Sequence, residues 1–283
     1  MVENRPFVTF LSHFVLVLGL IVIAFPIWMT FVASTHDQAT MLRAPIPLLP
    51  GKHLIENYRE VLSSGYNQGS GGIPLFMTLT NSLIMALGVA LGKIAISIIS
   101  AFAIVYFRFP LRMIFFWAIF VTLMLPVEVR IVPTYGVVAA LGMLDSYSGL
   151  IIPIIASATA TFLFRQFFLS VPDELAEAAR VDGASPMRFF WDILLPMSRT
   201  SMAALFVIQF IYGWNQYLWP LLITTKQGFY TAVMTVSRQA TVVDTVPSWN
   251  LLMAMALLTM LPPVLVVVVM QRQFVRGLVE TEK

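Results

Sequence analysis

Six stretches of roughly twenty or more largely apolar residues, at about 14–34, 79–105, 114–140, 147–168, 203–224 and 251–270, leave this chain few ways to fold. A hydrocarbon core of roughly 30 Å takes about 20 apolar residues in helical form. Inside lipid only a helix of that length satisfies its own backbone, so the sequence predicts an all-α integral membrane protein. With 59% apolar residues, 11% charged residues and a mean hydropathy of +0.86, the composition lies outside the soluble range. The first block, Phe14 to Ala33, is longer than a signal-peptide core, and Val32-Ala33-Ser34 is a poor cleavage site, so it reads as an uncleaved span. The third stretch is the most interrupted, by Pro126, Glu128, Arg130 and Pro133. The expected organisation is a single transmembrane domain over 1–283.

A net charge of +3 spread between apolar blocks makes no continuous basic face, which argues against a nucleic-acid partner. The basic residues instead report orientation. With the N-terminus in the cytoplasm, Arg5, Arg108, Arg112, Arg165, Arg180, Arg188, Arg199, Arg272, Arg276 and Lys283 fall inside. Outside fall only Arg43, Lys52, Arg59, Lys226 and Arg238. The bias predicts both termini inside. Two polar segments then lie outside, 35–76 and 225–249. The first, with Pro45, Pro47, Pro50 and a Gly/Ser patch, reads as a loop with little helix. Either could simply connect spans or dock an external partner. Small residues, Gly88 with Gly92 and the run 156–161, mark sites of close helix approach.

The long internal segment, 169–200, carries the functional signal. Ser170 and Asp173 read as a capping-box start, Glu174 to Val181 as helix, and Gly183 as its stop. Ser185-Pro186 opens a second short helix that Pro196 is expected to end. Phe189, Phe190, Trp191, Ile193 and Leu194 are too apolar for a solvated loop. They fit packing under the chain's own bundle, a membrane-surface helix, or a knob inserted into another protein's groove.

Glu177-Ala178-Ala179, three residues, Gly183, nine residues, then Ile193, Leu195 and Pro196 form E-A-A-x3-G-x9-I-x-L-P. This pattern resembles the EAA loop of permease subunits in bacterial ABC importers that depend on a solute-binding protein. The resemblance implies six transmembrane helices with this coupling loop between the fourth and fifth, in the bacterial inner membrane. Glu177, Ala178, Ala179, Asp182, Gly183, Ile193 and Pro196 would dock on a separate ATPase, Glu177 offering its carboxylate to a basic group. The implied partners are a second homologous permease subunit, two ATPase subunits and an extracytoplasmic solute-binding protein. The chain would be non-catalytic and carry no cofactor, ATP and Mg being bound by the ATPase. Asp145-Ser146-Tyr147-Ser148-Gly149, the run 212–220 and Phe274-Val275-Arg276-Gly277-Leu278 are similar to the sugar-type branch. Glu3-Asn4-Arg5-Pro6, the run 122–130 and Met270-Gln271-Arg272 are similar to branch members that import sn-glycerol 3-phosphate and related glycerophosphodiesters. A sugar or oligosaccharide is the alternative cargo.

Three ionisable residues lie deep in spans: Lys93, Glu128 and Arg130. A charge at mid-helix costs about 2.5–3.5 kcal/mol on insertion scales, so exposure to lipid without a partner is disfavoured. They form either a structural Lys93–Glu128 pair or a polar path, where Arg130 with its planar fork of donors suits a phosphate. Asn215 and Gln216 are further path candidates that helix–helix hydrogen bonds would also explain.

Other chemistries lack their residues. Cysteine is absent. The nearest P-loop candidate, Gly92-Lys93, has Leu87 at the first Gly position and Ile94 where a P-loop carries Ser or Thr. His13, His36 and His53 lack metal-ligand spacing. The methionines read as packing, and Trp28, Trp219 and Trp249 as interfacial anchors. Three rivals remain. An ion-coupled transporter would use Lys93 and Glu128 and need no nucleotide. An integral-membrane enzyme would need a clustered polar site that the sequence does not display. An exporter would not call for the acidic, Gly-hinged loop.

Overall fold

The computed structural model describes residues 6–64, 72–122, 125, 127–241 and 247–279, and the regular elements among them are all helical. In chain order they are α1 (Pro6–Ser34), α2 (Gln38–Met41), α3 (Leu54–Ser63), α4 (Leu75–Tyr106), α5 (Arg112–Val121), α6 (Val127–Ala140), α7 (Tyr147–Ile151) and α8 (Ala158–Ser170). The run continues with α9 (Asp173–Val181), α10 (Pro186–Phe189), α11 (Leu195–Met197), α12 (Arg199–Trp214), α13 (Leu218–Ile223), α14 (Ala232–Ala240) and α15 (Trp249–Val279).

α1, α4 and α15 are each long and apolar enough to cross a membrane. The other apolar stretches are broken, and proline accounts for much of the breakage. Pro153 lies in a 3-10 turn between α7 and α8, whose combined run bends by 51°. Pro220 has no amide to donate to the Gln216 carbonyl, so it sits in the first turn of a new helix, α13. The stretch expected at 203–224 therefore ends as one helix at Trp214. The stretch at 114–140 divides into α5 and α6; Pro126 lies outside the described residues, whereas Pro133 is accommodated within α6.

The chain forms two compact units. One comprises residues 1–76 and 236–260. Here the segment after α1 is more helical than its proline content predicts, because a buried side chain organises it. Asn57, on α3, donates from Nδ2 to the carbonyls of Ser34 and His36, both at 2.8 Å, and its Oδ1 accepts from Asn250 at 3.2 Å. Those bonds close the C-terminal end of α1 and make α3 worth forming. α1 itself is almost bare, with 6% of its most apolar window buried.

The other unit comprises 77–235 and 261–283. Gly88 and Gly92 let α4 meet the bent α7–α8 region: a Cβ at Gly88 would lie 2.6 Å from Ile151 Cδ1, and one at Gly92 2.7 Å from Ile155 Cγ2. Ser97 Oγ, one turn on, donates to the Ser157 carbonyl at 3.2 Å. An aromatic cluster occupies one end, where Phe102, Phe164, Phe168, Phe189 and Phe190 pack together. On α8, the Arg165 guanidinium lies 4.3 Å over the Phe116 ring of α5.

Candidate coupling surface and polar path

α9 is acidic in its first turn, with Asp173 and Glu174 where the helix dipole favours negative charge. Ser170 does not cap it. Ser170 is the last residue of α8, its hydroxyl donates back to Phe167, and Pro172 occupies the N-cap position without a side-chain bond. The C-terminal end is a Schellman turn. The Ala184 amide donates to the Ala179 carbonyl at 2.8 Å, the Gly183 amide donates to Arg180 at 3.1 Å, and Gly183 stands at φ +70°. A side chain with a Cβ is strained there, which is why glycine turns the chain.

Ser185 then caps α10, accepting from the Arg188 amide. A π-helical turn at Phe190–Leu194 joins α10 to α11, so the helical run continues through Pro196 to Met197. Pro196 does not end it. The proline falls in the first turn of α11, and the break comes at Ser198, where the run bends 71° into α12.

The apolar residues of this segment divide between two roles. Ala179, Phe189, Phe190 and Leu194 are buried, with Phe102 and Phe190 ring centroids 4.9 Å apart and Tyr106 and Phe189 5.3 Å apart. They seat the segment on α4 and α8. Glu177, Ala178, Val181, Asp182, Gly183, Met187, Trp191 and Pro196 stay exposed, and Ile193 is half-buried. A groove of about 200 Å³ runs between Ala179, Asp182, Arg188, Asp192 and Ile193. Arg188 Nε donates to Asp192 across 3.3 Å at its edge. Residues Phe107 and Arg108, from the turn between α4 and α5, line an adjoining cavity with Ala176, Ala179 and Ala184. The two segments expected on one side of the membrane thus share one end of this unit.

The path candidates do not form one cluster of equals. Lys93 is 6% exposed, and its Nζ lies 3.5 Å from the centroid of the Tyr212 ring, on α12. Arg130 is exposed on α6, next in sequence to Ile131, which packs with Val89 and Tyr212. The Glu128 side chain lies outside the described residues, and with it the expected Lys93–Glu128 pair. Asn215 is exposed, and Gln216 donates to the Tyr212 carbonyl at 3.1 Å, a local helix-end bond. Val89, Ile131 and Tyr212 belong to one apolar cluster, which brings α4, α6 and α12 together beside Lys93.

Sequence reasoning missed a hydrogen-bonded lock at the other end of this unit. The Asp145 carboxylate accepts from the Thr225 amide and hydroxyl, both at 2.6 Å, and from the Lys226 amide at 2.8 Å. Those bonds hold its carboxyl below the usual carboxylate range, the Lys226 amide contributing most. Trp219, read from sequence as an interfacial anchor, is instead buried and donates to the Gly149 carbonyl at 3.1 Å. The Tyr147 hydroxyl donates to Asn81 Oδ1 at 2.7 Å, while Asn81 Nδ2 donates to the carbonyls of Gly228 and Tyr230. The Trp219–Gly149 bond joins two stretches that the sequence displays separately, 212–220 and 145–149, whereas Asn81, Thr225, Lys226, Gly228 and Tyr230 lie in neither.

Residues 93–280 match the family of binding-protein-dependent transport system inner membrane components, and the chain belongs to that family. Among its relatives, the sn-glycerol-3-phosphate transport system permease protein UgpE of Brucella melitensis is 57% identical over 283 residues, covering all of both chains. The UgpE protein of Escherichia coli O157:H7 is 58% identical over the same span. A chain in the crystal structure of a bacterial ABC transporter involved in the import of the acidic polysaccharide alginate shares the fold. Its TM-score is 0.82 at 19% identity, covering 97% of this chain and 99% of that one.

Proposed function

We propose that this chain is the non-catalytic permease subunit of an ATP-driven importer that carries sn-glycerol 3-phosphate, or a related glycerophosphodiester, across the bacterial inner membrane. The observation that carries the reading is full-length identity of 57–58% to proteins named for that transport. The whole chain, 1–283, acts as one permease domain of six spans, with α5 and α6 together as the third and both termini in the cytoplasm. The 10-to-5 division of basic residues favours this orientation.

In this reading a second permease subunit completes the path. Two ATPase subunits that bind ATP and Mg sit beneath the pair, and a solute-binding protein delivers cargo from outside. The exposed Arg130 favours a permease partner, since a charge left in lipid is costly. Glu177, Ala178, Asp182 and Gly183 form the ATPase-facing rim, backed by Ala179, with Ile193 and Pro196 along its second helix. Arg130, Lys93, Asn215 and Glu128 belong to the translocation path. Closure of the ATPases moves the coupling segment as a rigid body and tilts the spans between outward- and inward-open arrangements.

The test is uptake in cells lacking this chain, with and without its gene restored. Labelled sn-glycerol 3-phosphate should accumulate only with the chain present and ATP available. Accumulation of a neutral sugar instead, or uptake driven by an ion gradient without ATP, would reject the assignment.

A further inference from the structure

Lys93 holds an unusual position. It is 94% buried by its 6% exposure, lies in the middle of a membrane span, and forms no hydrogen bond or ion pair among the described residues. Its ammonium rests on the face of Tyr212 at 3.5 Å, and Arg130 stands on α6 next to Ile131, which packs in the same cluster as Tyr212. Arg130 likewise forms no ion pair among the described residues. The Lys93 Nζ is not among the fully buried atoms that lack a hydrogen bond, so the ammonium keeps open surface beside the ring that an anion can reach.

We propose that Lys93, Tyr212 and Arg130 form an anion-reading station in the path, at which a phosphate takes the Lys93 ammonium over from the Tyr212 ring. The idea rests on the assignment of a phosphate-bearing cargo and adds where and how the charge is read. Charge-assisted hydrogen bonds from an ammonium to phosphate oxygens are stronger than its hold on a ring face. A passing phosphate therefore draws Lys93 off Tyr212 and offers Arg130 a second pair of acceptor oxygens. A neutral solute offers no such oxygens and leaves the ammonium stacked. Tyr212 acts as a positioning residue that keeps the ammonium parked between cargoes. Its ring face performs this task, not its hydroxyl.

The experiment uses the complete importer in proteoliposomes, with initial uptake of sn-glycerol 3-phosphate compared with that of a glycerophosphodiester. The monoester carries nearly two negative charges at neutral pH and the diester's phosphate one. K93M should lower the maximal rate for the monoester by about tenfold, the kinetic equivalent of losing one desolvated cation contact. The diester should fall less, so the ratio of the two rates drops. R130Q should shift the ratio the same way. Y212L should lower it as well, and Y212F should restore most of that loss. The apparent KM, set by delivery from the binding protein, should move little.

Equal loss for both probes in K93M, or Y212F as damaging as Y212L, would overturn the station. Should K93M fail to assemble, as judged by recovery of the complex on gel filtration, K93R and the two Tyr212 variants still decide the matter. K93R should keep the monoester preference, and a ratio insensitive to all three would overturn the proposal. Failure of the cargo assignment shows separately, as absent uptake of either probe by the wild-type complex.

Discussion

At the scale of single residues, side chains that bond across long sequence separations were the hardest to foresee. Asp145 is such a case, because nothing in a five-residue motif says that its carboxylate will hold an amide 80 positions away. Asp145→Ala removes three hydrogen bonds to a charged acceptor, and we expect it to destabilise the purified complex by about 1–2 kcal/mol, a partly exposed case of such loss. Thermal unfolding at neutral pH measures it. The pH dependence has a definite sign: the folded-state pKa is depressed, so the stabilisation is complete above the unfolded value of about 4 and disappears as pH falls through the folded one. The wild-type advantage over Asp145→Ala should therefore be flat near neutrality and shrink only in acid. Lys93 was visible in the sequence as a charge in a span, but its ring partner was not. Tyr212 reads as one more aromatic on an apolar helix until α4 and α12 are placed side by side.

At the scale of elements, what could be read was whatever a local rule decides. The long apolar helices, the acidic start of α9 and the Gly183 turn all follow from hydropathy, the helix dipole and backbone sterics. Tertiary partners decided the rest. α3 forms because Asn57 finds three bonding partners, and the run through Pro196 continues because the proline falls in a first turn. Gly88 and Gly92 stand between these cases: their spacing indicated a close approach without naming the surface approached. That surface carries Ile151 and Ile155. Gly92→Ala should cost about 1–3 kcal/mol, the usual range for overpacking. Combining it with Ile155→Ala removes the opposing methyl, so the pair should be less destabilising than the two single costs added, by roughly 1 kcal/mol in a double-mutant cycle. Strict additivity would mean that the two helices do not meet there in the membrane.

At the scale of the whole molecule, class membership was legible because it resides in one spaced motif and in overall hydropathy. The division of labour inside the coupling segment was not. From sequence, Phe189, Phe190 and Leu194 served equally well as a knob for another protein. In the fold they are the segment's own foundation, and Glu177, Val181, Met187 and Trp191 are left outward. Glu177→Arg should therefore leave the chain folded and inserted while it reverses a charge at the proposed ATPase face. We expect uptake to fall by about 30-fold or more, in keeping with the cost of like charges at an interface, and less ATPase to be recovered with the purified complex. Normal uptake would place the docking surface elsewhere.

The aromatic seating of that segment has a mechanical consequence. Ring packing at about 5 Å and a tight glycine corner leave the short helices little room to flex independently of α4, α8 and α12. A compliant joint would dissipate an ATPase's stroke in its own deformation. A joint clamped in this way has little play, so even small displacements at its rim should arrive at the spans almost undiminished.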